Sequence, residues 1–297
     1  MISFRQHVVS LVAVFLALAV GIVLGGGPMS AVGQDLGGEA QDPQERTEHA
    51  AAEARAEYGD RLSGALARRA YGDGLAERPV AVLSFPGVDP GLRRDLVAEL
   101  EAAGGEVTGQ YELLDTLVAP GEKSLVDSLG SQLAAQREGV VADGSTTYDR
   151  MGQLVARSVA VPAEAPRAQN EQGVGIARSL VAAGLLEAPD RIERRAPYVV
   201  VLLGSDSGEA DDPIWDGLLT GLARGAQGVV VAGSGQDGRQ GRLSRLREEQ
   251  VAEEVATVDG VDHTSGLVTA VLALARWPET RGGAYGASGS DGTVPIG

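Results

Sequence analysis

Gly233, Gly235 and Gly238 spell G-x-G-x-x-G, and Asp259 follows about twenty residues further on. In a strand-to-helix turn such glycines let the backbone approach a pyrophosphate, whose charge then rests on a helix N-terminus. The loop is therefore a candidate nucleotide site. Against it, the following residues RQGRLSR place Gly241 where the phosphate-binding helix should begin, and a tight strand-to-helix turn gives the same spacing. Acidic residues cluster at Asp211 and Asp212 and again at Glu248, Glu249, Glu253 and Glu254. They could hold a cation or exchange protons, but runs of this kind more often cap a helix or form a solvated face. The segment LGSDSG puts Asp206 where a hydrolase elbow needs serine, and neither EF-hand nor Walker spacing is present. Soft metals want thiolate, thioether or imidazole donors. The chain has no cysteine, and Met1, Met29, Met151, His7, His49 and His263 are scattered without a pair at helical spacing. A conventional intrachain site for a soft metal is not expected, and neither is enzymatic activity.

The elements that would carry these groups begin with an apolar run. Residues 8–24 contain no charge, with Arg5 before them and Asp35 after them. At about 1.5 Å per residue such a helix, with its small flanking residues, just crosses a hydrocarbon core of about 30 Å. The positive flank predicts a cytoplasmic N-terminus and an extracytoplasmic remainder. A secretory signal with cleavage near Gly33 shares these features; either way the bulk is exported. Ala13, Ala17, Gly21 and Gly25 stack four apart on one helical face, which would let two spans approach closely as a homo-oligomer. Alanine-rich sequence also produces such spacing by chance.

The chain reads as four regions: an anchor at 1–27, a linker and charged stalk helix at 28–77, an α/β domain at 78–277 and a disordered Gly/Ser-rich tail at 278–297. In the stalk, Ala51, Ala54, Tyr58, Leu62 and Ala65 follow a sparse heptad seam, which suits either a coiled coil or a solitary solvated helix. Beyond it, the apolar segments 79–85, 106–111, 198–204, 228–233 and 254–258 read as strands. Segments 90–103, 122–136, 147–160, 174–187, 215–224 and 264–277 read as helices. Strands apolar on both faces with helices between them predict a doubly wound, mostly parallel sheet of Rossmann or flavodoxin type. A net charge of −16 with a single lysine, Lys123, argues against a nucleic-acid partner. Without disulfides, stability in an exported compartment must come from the packed core.

The opening MISFRQHVVSLVAVFLALAVGIVLG, with Arg5, Gln6 and His7 before the span and Gly21 to Gly27 at its end, resembles the start of the actinobacterial copper-transport family MctB. The later order resembles it too: a stalk helix, the strand at 79–85, YVVVLLG, GVVVAG and the closing DGVDHTSGLVTAVLALA. The resemblance implies a membrane protein of copper homeostasis that limits intracellular copper, described in the family as an outer-membrane channel. Copper is then the transported or regulated ion. The stalk departs from it in having few large apolar heptad residues. The strands also lack the roughly ten-residue alternation of a membrane barrel, so a channel would need several copies of the span. Two other readings remain: an envelope scaffold without a copper role, and a nucleotide-binding domain using residues 233–238.

Overall fold

The computed structural model describes residues 43–137, 139–162, 168–204 and 211–296. The expected span at 8–24 and its small-residue face lie outside them, and among the described residues no helix is long and apolar enough to cross a membrane. The chain divides into two units, Met1–Arg55 and Ala56–Gly297. The second begins within helix α1 (Pro43–Tyr71) and holds every other described element. Proline in the first turn and an alanine-rich body explain this helix.

After α1 come β1 (Pro79–Ser84), α2 (Pro90–Ala102), β2 (Glu106–Leu113), α3 (Asp115–Val118), α4 (Lys123–Ala135), α5 (Thr147–Val159) and α6 (Glu171–Ala182). Then come β3 (Leu186–Glu187), β4 (Tyr198–Leu202), α7 (Asp212–Gly225), β5 (Gly228–Ala232), α8 (Gly235–Gln240), α9 (Arg242–Leu246), β6 (Ala256–Val258), α10 (Thr264–Ala275) and β7 (Ala284–Tyr285). The strands form one sheet in the order β3-β2-β1-β4-β5-β6-β7. Every pairing is parallel except that of β2 with β3. The expected doubly wound architecture is present.

The period-two alternation of the strands divides the core. Ala81, Leu83, Val199, Val201, Val229 and Val231 face one layer with α4, α5, α6 and α7. Val80, Val82, Val200, Val230, Ala256 and Val258 face the other, with α2, α10 and the end of α1. Burial on both faces explains why these strands are continuously apolar, and each buried valine or leucine contributes about 1.5–3 kcal/mol. Helices α5 and α7 cross unusually closely. A Cβ at Gly152 would lie 2.2 Å from the Leu218 carbonyl oxygen, and one at Gly221 would lie 2.1 Å from that of Asp149. Glycine is required there for contact, not for backbone conformation.

Two expectations are corrected. The helix expected over 174–187 stops at Ala182, because Gly184 adopts φ 66° and Leu186–Glu187 pair with β2. The tail expected to be disordered is ordered through residue 296. Thr257 pairs with Ala284 and Val258 with Tyr285. Arg247 donates to the Tyr285 carbonyl at 2.8 Å, and Ser288 N–H donates to Asp259 at 3.0 Å. The glycines that suggested disorder instead supply tight turns, such as Gly286 at φ 110°.

The stalk helix is not solitary. Ala67 and Tyr71 are buried against the second layer, and Tyr71 donates its hydroxyl to Glu99 at 2.7 Å. Nearer the start of the helix, Asp60 meets His263 Nδ1 at 3.0 Å and accepts from Ser265 N–H at 3.4 Å. The α10 N-cap His263 has no side-chain cap of its own. Asp60 therefore supplies a carboxylate at that helix N-terminus from 203 residues away.

Candidate functional site

In a doubly wound sheet, ligands enter at the carboxyl ends of the strands, above all where strand order reverses. Here that point lies between β1 and β4. Phe85 N–H donates to the Leu202 carbonyl at 2.9 Å, and a Cβ at Gly204 would lie 1.6 Å from the Pro86 carbonyl oxygen. At this level the two loops are in backbone contact. Beside them, Phe85 stacks on Trp215 with ring centroids 3.9 Å apart, and the Arg242 guanidinium lies 3.4 Å from the Trp215 centroid. The remaining loop after β4, including Asp206, lies outside the described residues.

Of the six acidic residues singled out from sequence, two are ion-paired. Asp212 accepts from Arg245 at 2.6 and 3.2 Å, and Glu254 pairs with Arg281. Asp211 occupies the N-cap of α7 without a side-chain bond. One carboxyl that sequence reasoning missed is Asp216. Its pKa is pushed up to about 6, chiefly by burial and then by Glu249 and Asp212, with Arg242 and Arg245 opposing them. A like-charged setting around a half-buried group has no local sequence signature.

At the carboxyl ends of β5 and β6 the structure brings Gly233, Gly235, Gly238 and Asp259 together. A Cβ at Gly238 would lie 2.0 Å from Asp259 Oδ2, so the twenty-residue spacing does place the acid beside the loop. The donors that a phosphate would need are already engaged. Ser234 and Asp237 form a reciprocal capping box, in which Ser234 N–H donates to Asp237 at 3.0 Å. Gly235 N–H donates to Asp262 at 2.9 Å. An arriving phosphate would meet Asp237, Asp259 and Asp262, and like charges at such range repel. Helix α8 also ends after Gln240, with Gly241 as its C-cap. The geometry favours a tight turn over a phosphate cradle.

Between this loop and α10 lies a cavity of about 210 Å³, bordered by Gly235, Asp259, Asp262, His263 and Thr269. Asp259 is 1% exposed. Its carboxylate lies 3.6 Å from Arg247 and holds Ser288 of the C-terminal segment. That assigns it an architectural task, fastening residues 284–291 to the sheet. Among the described residues no group of three or more His, Cys, Asp or Glu side chains is placed to hold a metal ion. Met151 is fully buried in the core, His263 is paired with Asp60, and Met1, Met29 and His7 lie outside the described residues.

The molecule is thus a doubly wound α/β protein with an N-terminal stalk helix and, among its described residues, no assembled catalytic constellation. The chain belongs to the MctB family: residues 1–296 match the family described as "Copper transport outer membrane protein, MctB". It is 31% identical over 300 residues to proteins named "Copper transporter MctB" from Mycobacterium bovis and Mycobacterium tuberculosis, over 92% of each chain. The resemblance read from the N-terminus and the element order is the family relationship itself.

Proposed function

We propose that this protein limits intracellular copper from the cell envelope. The observation that carries the proposal is the family match over residues 1–296, with relatives named as copper transporters. Residues 8–24 span the membrane once, with the N-terminus cytoplasmic and the α/β unit outside the cytoplasm. The uncharged length of that run and its single positive flank support this topology. Ala13, Ala17, Gly21 and Gly25 give the span a face for close contact between copies.

The α/β unit serves as a rigid extracytoplasmic body in this reading. Both faces of its central strands are covered by helices, so those strands offer no lipid-facing band. Any passage for copper therefore runs through associated spans. Complementing a deletion strain tests the assignment. The full chain restores copper tolerance, and a chain lacking residues 1–27 does not. Restoration by the shortened chain would remove the span from the mechanism, and unchanged tolerance in the deletion strain would leave an envelope scaffold.

A further inference from the structure

Large apolar side chains are exposed at six described positions: Tyr58, Leu62, Leu66, Leu125, Val181 and Ile296. Three of the six fall within nine residues of α1, so the stalk carries an apolar surface that composition alone does not explain. Its placement on the helix is informative. Asp60, Gly64, Ala67 and Tyr71 follow one another at three- and four-residue spacing and dock on α10 and α2. At 3.6 residues per turn, Tyr58, Leu62 and Ala65 lie half a turn away, on the opposite face. Tyr58 is 69% exposed and Leu62 45%. The α/β unit covers one side of the helix and leaves the side carrying Tyr58, Leu62 and Ala65 uncovered.

We infer that the uncovered face of α1 pairs in parallel with the same face of a second copy; the inference rests on the proposed membrane span. Three observations select that occupant. The exposed apolar surface amounts to on the order of a few hundred Å² per copy, below the total of about 1,000 Å² that a self-sufficient interface buries. A free partner would bind it poorly. A copy tethered in the same bilayer is different, because tethering by short linkers raises effective concentration to the order of millimolar. The tether is at hand: the 42 residues that precede α1 include the uncharged run 8–24. Two copies entering from one membrane also point the same way, which fixes the pairing as parallel and brings each Leu62 to its own counterpart.

The native chain has no cysteine, so single-cysteine variants report contacts without background. Tyr58→Cys, Leu62→Cys and Ala65→Cys are compared with Glu57→Cys and Arg68→Cys, which occupy exposed positions on the flanks of the same helix. Each full chain is treated in isolated membranes with a short bismaleimide, and tryptophan fluorescence checks that it is folded. The expected result is dimer at 58, 62 and 65 in several-fold excess over 57 and 68. Equal yields at all five positions, or no dimer in membranes that contain the chain, overturn the pairing while leaving the span intact. Recovery of the chain in the soluble fraction overturns the span itself, and the tethered pairing falls with it.

Discussion

Replacing Gly221 by alanine sets two effects of known sign against each other. In a helix interior alanine is favoured over glycine by about 1 kcal/mol, so propensity alone predicts a more stable protein. The crossing with α5 predicts the reverse. The new Cβ would lie 2.1 Å from the Asp149 carbonyl oxygen and 2.6 Å from the Gln153 nitrogen. Both obstacles are backbone atoms of a neighbouring helix and cannot rotate away. Relief requires the helices to part by about an ångström, loosening the contacts of Leu218, Leu222 and Met151, which are buried in that layer. Overpacking of this kind typically costs about 1–3 kcal/mol and occasionally more. With an obstacle made of backbone the upper end applies, and the net expectation is a loss of about 2 kcal/mol. Gly59→Ala on α1 is the control, since nothing lies within 4 Å of its Cβ position. There propensity acts alone, and stability rises by up to about 1 kcal/mol. Urea unfolding of the full chain, followed by the fluorescence of buried Trp215 and Trp277, measures both. Equal stabilities for the two variants would refute the account of the α5–α7 crossing.

Asp216→Asn tests the raised carboxyl. With a folded pKa of about 6 against 3.8 unfolded, the protonated form is favoured by folding. Its contribution is full below pH 3.8 and is lost as pH rises to about 6. Two pKa units correspond to about 3 kcal/mol, which partial exposure reduces to about 1 kcal/mol. The variant should gain that much at pH 7 and nothing near pH 4, as measured by unfolding at the two pH values; an equal gain at both contradicts the assignment. Asp259→Ala removes the carboxylate beside Arg247, a group whose side chain is 12% exposed. A loss of about 3 kcal/mol is expected, with faster proteolysis or hydrogen exchange within 284–291. Loss of stability with an undisturbed C-terminal segment would contradict its fastening role. Millimolar NAD or ATP should leave the melting temperature unchanged, because Asp237 and Asp262 occupy the loop donors; a saturable rise would restore the nucleotide reading.

Much of the fold was legible because its strands are buried on both faces. Residues 198–204 and 228–233 announce themselves as unbroken apolar runs and 79–85 as a run broken only by Ser84, and the helices between them carry apolar residues at helical spacing. The order of β7 was not legible. A Gly/Ser-rich segment reads as a chain unable to bury enough surface, whereas its order comes from Asp259 and Arg247, distant in sequence. The same holds at the glycine loop. The fold brings Asp259 beside Gly238, but the loss of the phosphate donors depends partly on Asp262, which reaches Gly235 from the turn after β6. Ser234 and Asp237 were a readable local signal, since a cap residue and an acid three positions later form a capping box. Gly217, Gly221 and Gly225 are also four apart, but that spacing acquires its meaning only from the facing helix α5, whose Tyr148, Asp149 and Ala156 lie against them.

Copper content per cell, measured by mass spectrometry in a deletion strain and in the same strain carrying the full chain, tests the proposed function most directly. The account predicts raised copper on deletion and restoration by the full chain. Identical copper content in both strains across external copper concentrations would contradict it.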